Sequence, residues 1–374
     1  MNIGFDGKRA LFNKSGLGNY SRNVVNALAR YYPSNNYYLY SPLKQSGYAD
    51  TLEPSVKICY PGNRWFNSIW RSYFITKTLV HDGISLYHGL SNEIPFTLHK
   101  AKIPALVTIH DIIFLTMPEM YAPADRLIYH KKFIHSCTYS ARIIAASQQT
   151  KNDIIQYCPA ASEKIDVVYQ PVSRHFHTRW TTEQLTWLRK KYNLPGSYLL
   201  TVGTIEKRKN LLNIIKAIHE NKIILPLIVI GQETPYIQTI KDYIALKHLD
   251  KQILFIHGVS DEELPGFYQQ ATLFLYISLY EGFGIPVLEA LVSGVPVITS
   301  KGGCLEETGG NAACYTTPQS SDAIGSSIIE VLSDQERMKK MIALGITHAG
   351  RFSEQRIATD LTAIYNKTIK QGAN

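Results

Sequence analysis

Two glutamates eight positions apart, Glu281 and Glu289, bracket the stretch Gly282-Phe283-Gly284-Ile285-Pro286-Val287-Leu288. An ionised carboxylate accepts hydrogen bonds at two oxygens and can hold a pair of vicinal hydroxyls. Glycines let backbone N–H groups approach a ligand, and a helix start just beyond them favours negative charge. Two carboxylates around such a loop suit a ligand with two sets of hydroxyls and an anionic centre, such as a nucleotide sugar. Residues eight apart on one continuous helix do not share a face. Both glutamates can therefore meet one ligand only if Glu281 precedes the helix that carries Glu289.

Three further stretches carry candidate chemistry. Lys207-Arg208-Lys209 places three cations in a row between a strand-like and a helix-like run. Such a junction is costly unless an anion sits there, and Arg208 with Lys209 suits two phosphates. The apolar run Ala105–Ile109 ends in His110-Asp111, a titratable pair at the carboxyl end of a buried strand. Near the start, Lys14-Ser15-Gly16-Leu17-Gly18-Asn19-Tyr20 reads as a glycine loop between strand 2–6 and a helix through Asn23–Leu28. It is not a dinucleotide fingerprint, because the third glycine position is Ser21 and the loop trails its strand by about ten residues. His88, at the end of Ser85–Gly89, is a weaker cleft candidate.

The elements that must position these residues alternate strand and helix throughout, which predicts an α/β chain with parallel sheets. Apolar runs at 105–109, 141–147, 164–169, 198–203, 227–231, 252–258, 271–277 and 297–299 read as strands. Pro286 suits the first turn of the helix that carries Glu289. Ser147 reads as a helix cap. Ser260 with Glu263 forms a Ser-x-x-Glu capping box for a helix begun by Asp261-Glu262-Glu263. Ile357, Leu361, Ile364 and Tyr365 have helical spacing in a last helix starting near Ser353. Residues 63–74, rich in aromatics and arginine, read as a helix with a buried aromatic stripe or as an interfacial membrane helix.

A chain of 374 residues suits two domains. Gln170-Pro171-Val172 reads as the hinge, giving domains 1–170 and 171–351 with residues 352–374 as a closing helix. No apolar run reaches the length of a membrane span, the opening residues do not form a signal peptide, and five scattered cysteines without metal spacing read as reduced thiols. These features predict a cytoplasmic enzyme. The net charge is +9, and residues 1–170 carry 18 Lys/Arg against 11 Asp/Glu. A basic first half invites an anionic partner, including peripheral contact with the inner face of a membrane.

The stretch Glu-Gly-Phe-Gly-Ile-Pro-Val-Leu-Glu-Ala at 281–290 resembles the Glu-x7-Glu signature of retaining glycosyltransferases of the GT-B fold, in the large family four group. The resemblance runs through Gly203-x4-Arg208-Lys209-Asn210 and the amino-terminal glycine loop, so it spans nearly the whole chain. It implies two Rossmann-like domains facing each other across a cleft, with the first on the acceptor side and the second binding the nucleotide sugar. It implies that Lys209 binds the donor diphosphate, Glu281 the sugar hydroxyls and Glu289 the ribose. Gly282, Phe283 and Gly284 shape the donor loop, and backbone near Val259 holds the nucleobase. Gly16 and Gly18 form a cleft loop. Many members have an arginine directly after the first glycine, where this chain has Thr204; Arg208 is the substitute phosphate ligand. His110-Asp111-Ile112-Ile113-Phe114 followed by Pro118-Glu119 is similar to O-antigen mannosyltransferases, in which the histidine faces the donor sugar. This subgroup favours GDP-mannose over UDP-sugars, a glycan or lipid-linked acceptor, no cofactor, no metal and no nucleic acid partner. The rival readings are a nucleotide-sugar epimerase of double-Rossmann shape and a non-catalytic phosphosugar- or nucleic-acid-binding protein.

Overall fold

Near-continuous apolar runs become parallel strands covered on both faces, since a strand buried on two sides can carry few polar groups. The computed structural model describes residues 1–14, 16–43, 47–61 and 69–372. Contacts divide the chain into two compact units, Met1–Pro171 with Phe352–Asn374, and Val172–Arg351. In the first unit the strands are β1 (Asn2–Asp6), β2 (Asn36–Tyr40), β3 (Val56–Cys59), β4 (Leu86–Gly89), β5 (Ala105–Ile109), β6 (Arg142–Ala145) and β7 (Ile165–Val167). They form one parallel sheet in the order β3-β2-β1-β4-β5-β6-β7. In the second unit β8 (Leu199–Val202), β9 (Leu227–Ile230), β10 (Ile253–Ile256), β11 (Leu273–Tyr276), β12 (Val297–Ser300) and β13 (Ala313–Thr316) pair in parallel as β10-β9-β8-β11-β12-β13. Each order reverses direction once, between β1 and β4 and between β8 and β11. Ligands of such sheets bind outside the carboxyl ends of the strands at this reversal.

The helix Glu354–Gly372 belongs to the first unit. Its Ile357, Ala358, Leu361 and Tyr365 are fully buried in one cluster with Val24, Val25 and Leu28 of the helix Gly16–Tyr31. Glu354 pairs with Arg30 at 2.6 Å, and Tyr32 donates to Thr359 at 3.0 Å. Beneath this contact the Tyr365 hydroxyl lies 2.7 Å from His88 Nδ1, and His88 Nε2 lies 2.8 Å from Thr108 Oγ1. His88 is therefore a core histidine rather than a cleft residue. Burial, reinforced by the neighbouring His110, pushes its pKa down to about 3 and keeps it neutral.

Other expectations also need correction. The loop over 14–20 is shorter than its glycines suggested: Lys8–Phe12 is already helical, and the next helix begins at Gly16. A Cβ on Gly18 would lie 1.8 Å from the Asn13 carbonyl oxygen, so this glycine serves a close backbone crossing. Arg22 holds the same turn, donating to the carbonyls of Ala10 at 2.8 Å and Asn13 at 2.9 Å. The Ser260–Glu263 box forms, with reciprocal bonds of 3.3 and 3.2 Å, but it closes a turn at 261–263 and the helix starts at Leu264. Of the stretch 63–74, residues 63–68 lie outside the described residues; Ile69 and Tyr73 are exposed, so they do not form a buried stripe. Among the described residues no helix is long and apolar enough to cross a membrane.

Tyr365→Phe keeps the packed ring and removes the hydroxyl that serves buried His88. The expected cost is about 1–3 kcal/mol of unfolding free energy, read from urea denaturation of the full chain.

Candidate active site

The cation run and the glutamate loop meet where β8 and β11 lie side by side, paired through Leu199↔Leu273 and Leu200↔Phe274. After β8, a single tight turn, Lys207–Lys209, carries the cations. Asn210 ends it in the left-handed region, at φ 62°, and its side chain donates to the carbonyls of Ile277 at 3.0 Å and Pro318 at 2.7 Å. Leu279 N–H donates to the Arg208 carbonyl at 2.9 Å, and the Arg208 guanidinium returns a 2.6 Å bond to the Tyr280 carbonyl. The cation turn therefore acts as a clip for the loop that delivers Glu281.

Glu281 is 9% exposed and sits in a closed set of donors. Lys209 Nζ is 2.7 Å from Oε1, Tyr276 Oη donates to the same oxygen at 3.0 Å, and Arg208 is 2.7 Å from Oε2. Lys209 also donates to Tyr276 Oη at 2.6 Å, and Arg208 pairs with Glu206 at 2.6 Å. The anion expected beside the cation run is thus supplied by Glu281 and Glu206 themselves. Burial pushes the Glu281 carboxyl up, but Lys209 and Arg208 outweigh it and hold the pKa down at about 2. Burial lowers Lys209 below the ordinary lysine value; Glu281 opposes this and Arg208 adds to it. A buried ammonium beside a guanidinium is a group that gains from added negative charge.

Glu289 differs in kind. It lies on the helix Ile285–Ser293, which has Pro286 in its first turn, and Tyr268 donates to its Oε2 at 2.9 Å. With no cation acting on it among the described residues, burial pushes its pKa up to about 7; the Tyr268 bond pulls it back and Asp261 adds to the rise. Gly284, the residue before the helix, has φ 140°, and a Cβ there would meet Leu305 at 2.8 Å and Thr308 at 2.9 Å. Gly282 and Gly284 are buried, and Phe283 is only 4% exposed, so its ring anchors the loop in the core. Val259 lies half-buried in the segment after β10. Glu306, in the helix Cys304–Gly309, accepts from Gly302 N–H of the preceding loop at 2.8 Å. Cys304 Sγ donates to the Glu281 carbonyl at 3.1 Å.

In the first unit His110 follows β5 and is 4% exposed. Its Nε2 lies 2.8 Å from the Leu90 carbonyl, which fixes the proton on that nitrogen, and its Nδ1 accepts from Gln170 at 3.1 Å. Burial, helped by Arg9 and opposed by the Leu90 bond, pushes its pKa down to about 4. His110 is therefore neutral near pH 7, with both ring nitrogens engaged. At the β1–β4 reversal lies a second charged set that composition did not reveal. Arg71 pairs with Asp6 and, at 2.6 Å, with Glu93, which pairs with Lys132 at 2.6 Å.

Tyr276 and Tyr268 escaped the sequence reading, as did the pairing of Glu206 with Arg208 and the clipping bonds of Asn210, which the motif included without a role. Tyr276 had one usable signal: it is the last residue of its strand, where side chains reach a site.

The two glutamates predict opposite pH behaviour. Glu281 has a lowered folded pKa, so its contribution is full above the ordinary value of 4.5 and is lost as pH falls towards 2. Glu281→Gln should cost about 3 kcal/mol at pH 7, with the deficit shrinking below pH 4. Glu289 has a raised folded pKa, so its ionisation destabilises the fold progressively from 4.5 to about 7. Glu289→Gln should gain about 1–2 kcal/mol on wild type at pH 8 and little at pH 4.5, read as melting temperatures across pH.

Comparison with known proteins gives this geometry a family. Residues 188–347 match the family described as Glycosyl transferases group 1, and residues 15–195 match Glycosyltransferase Family 4. The chain is 32% identical over 285 residues to the O-antigen chain mannosyltransferase B of Escherichia coli, covering 75% of this chain and 74% of that one. It is 29% identical over 230 residues to the O-antigen chain mannosyltransferase RfbU of Salmonella typhimurium, covering 61% of each. Among solved structures, Anabaena Alr3699/HepE in complex with UDP and glucose is 17% identical, with a TM-score of 0.77 over 98% of this chain and all of that one. WaaG, a glycosyltransferase involved in lipopolysaccharide biosynthesis, is 13% identical, with a TM-score of 0.72 over 97% and 99%. These two likenesses establish the fold, and with the sequence matches they place the chain among the group 1 glycosyltransferases of the GT-B fold.

Proposed function

We propose that this glycosyltransferase moves a mannosyl group from GDP-mannose to a hydroxyl of a glycan or lipid-linked acceptor, with retention at the anomeric carbon. The observation that carries the reading is the meeting of Lys209, Arg208 and Glu281 at the β8–β11 reversal, directly before the helix Ile285–Ser293. Mannose is supported by the names of the relatives and by the His110–Phe114 and Pro118-Glu119 pattern.

In this reading the unit Val172–Arg351 binds the donor. Lys209, Arg208 and N–H groups at the helix start carry the diphosphate charge, so no metal or cofactor is required. Glu281 holds the sugar hydroxyls, Glu289 the ribose, and backbone near Val259 the base. Glu289 accepts a ribose hydroxyl proton when ionised and can donate one when protonated. The first unit takes the acceptor, and the charged set around Arg71 and Glu93 at its own reversal supports that assignment. His110 is neutral and carries no proton in the transfer; to face the sugar, its Nδ1 exchanges the Gln170 amide for a sugar hydroxyl. Transfer is front-face. The bond between the anomeric carbon and the phosphate oxygen breaks, the acceptor oxygen joins on the same face, and the leaving phosphate takes the acceptor's proton. A covalent intermediate on Glu281 is the weaker alternative, because the adjacent Arg208 neutralises the carboxylate that would have to attack.

We place the enzyme in the cytoplasm, in peripheral contact with anionic membrane. The support is that the first unit exposes the large apolar side chains of Tyr73, Phe74, Ile128 and Tyr139 and the lysines Lys77, Lys100, Lys102 and Lys131. Co-sedimentation with anionic vesicles should occur at low salt and fall sharply at high salt.

A thermal-shift series with GDP, UDP, ADP and their sugars, in EDTA, tests the donor. GDP and GDP-mannose should stabilise, by about 2.7 kcal/mol at 100 times the dissociation constant. A shift with UDP alone would replace the donor, and a shift that needs added magnesium would end the metal-free reading.

A further inference from the structure

We infer that Glu281 and the donor's diphosphate compete for Lys209, and that the return of Glu281 to Lys209 after transfer loosens the leaving nucleoside diphosphate. The inference rests on the donor-site reading above and adds a turnover role that the reading lacks.

The geometry leads to it directly. Of the roughly four acceptor sites of the Glu281 carboxylate, those facing Lys209 and Tyr276 on Oε1 and Arg208 on Oε2 are in use. A carboxylate so engaged cannot take a pair of sugar hydroxyls without releasing a donor. Lys209 is bound just as closely, by Glu281 at 2.7 Å and Tyr276 at 2.6 Å. It cannot give its full charge to a phosphate while it holds Glu281. Arg208 has a second partner in Glu206 and a fixed backbone contact at Tyr280, so it stays in place. The element that changes partners is therefore the Lys209–Glu281 pair.

An intact nucleotide sugar satisfies both members at once. Its diphosphate takes Lys209 and its hydroxyls take Glu281, so the broken ion pair is replaced on each side. A nucleoside diphosphate satisfies only Lys209 and leaves the buried Glu281 carboxylate with Arg208 and Tyr276 but without its lysine, which is costly. Glu281 then competes for Lys209 and weakens the product relative to the substrate. By linkage, sugar contact with Glu281 and phosphate contact with Lys209 strengthen each other equally.

The test is a binding cycle on the full chain, with GDP, UDP and inorganic pyrophosphate as probes, by calorimetry at pH 7. Glu281→Gln should bind the diphosphate about tenfold more tightly than wild type, and should be inhibited by it more strongly in turnover. The gain should vanish in a Lys209→Met background. Tyr276→Phe, which removes the hydroxyl shared by both groups, should show a smaller gain of about two- to threefold and serves if Glu281→Gln does not fold. Unchanged or weaker diphosphate binding in folded Glu281→Gln, or no gain in Tyr276→Phe when only that variant folds, overturns the inference. If Lys209→Met binds the probes as wild type does, the donor-site reading fails and takes the inference with it. If Lys209→Met loses binding but Glu281→Gln gains none, the inference alone fails.

Discussion

A carboxylate buried between a lysine and an arginine is the contact around which the second unit is arranged. Lys209 and Glu281 lie 72 positions apart, and only the strand order brings them within 2.7 Å. Parallel β8 and β11 end beside each other, one followed by the cation turn and the other by the glutamate loop. Asn210, Arg208 and Cys304 then tie that loop through its backbone carbonyls. Side-chain ion pairs and main-chain bonds thus hold the same few residues, so the charged groups keep their places in a region without regular structure. Two adjacent cations and a buried acid would each be costly alone, and together they form a stable set.

The same fold treats its two glutamates in opposite ways. Glu281 is buried with cations and stays ionised; Glu289 is half-buried beside a tyrosine, with an aspartate nearby, and holds its proton towards neutrality. Their spacing in sequence makes them look like a matched pair of acceptors. Their surroundings make one a fixed anion and the other a group that changes charge within the range where enzymes work.

What could be read from the chain, and what could not, follows from how each signal is encoded. Strands such as Leu227–Ile230 and Leu273–Tyr276 were legible because two-sided burial demands unbroken apolar runs. Glu281 outside its helix was legible from Pro286 and from the turn periodicity. The internal partner of the cation run was not, because it depends on which strands are neighbours. Tyr276 and Tyr268 were hidden for a different reason: a tyrosine in an apolar run reads as core, and only its hydroxyl bond to a glutamate separates the roles. His88 gave the opposite error. Polar residues at strand ends invite a functional reading, yet this one is wholly enclosed by Thr108 and Tyr365. The glycines at 16 and 18 suggested a loop, but Gly18 meets a backbone crossing from within a helix.

The membership of Glu354–Gly372 in the first unit bears on how the chain is made. Val172–Arg351 is one continuous segment, whereas the first unit draws on residues from both sides of it. A ribosome releases residues in order, and domains fold as their segments emerge. The second unit has all its strands and helices once residue 351 is out. The first, although begun earlier, still lacks the helix that buries Val24, Val25 and Leu28. The earlier-started half is therefore the later-finished one. Its apolar helix face stays open throughout synthesis of the other, and that is the interval in which a chaperone has a surface to hold.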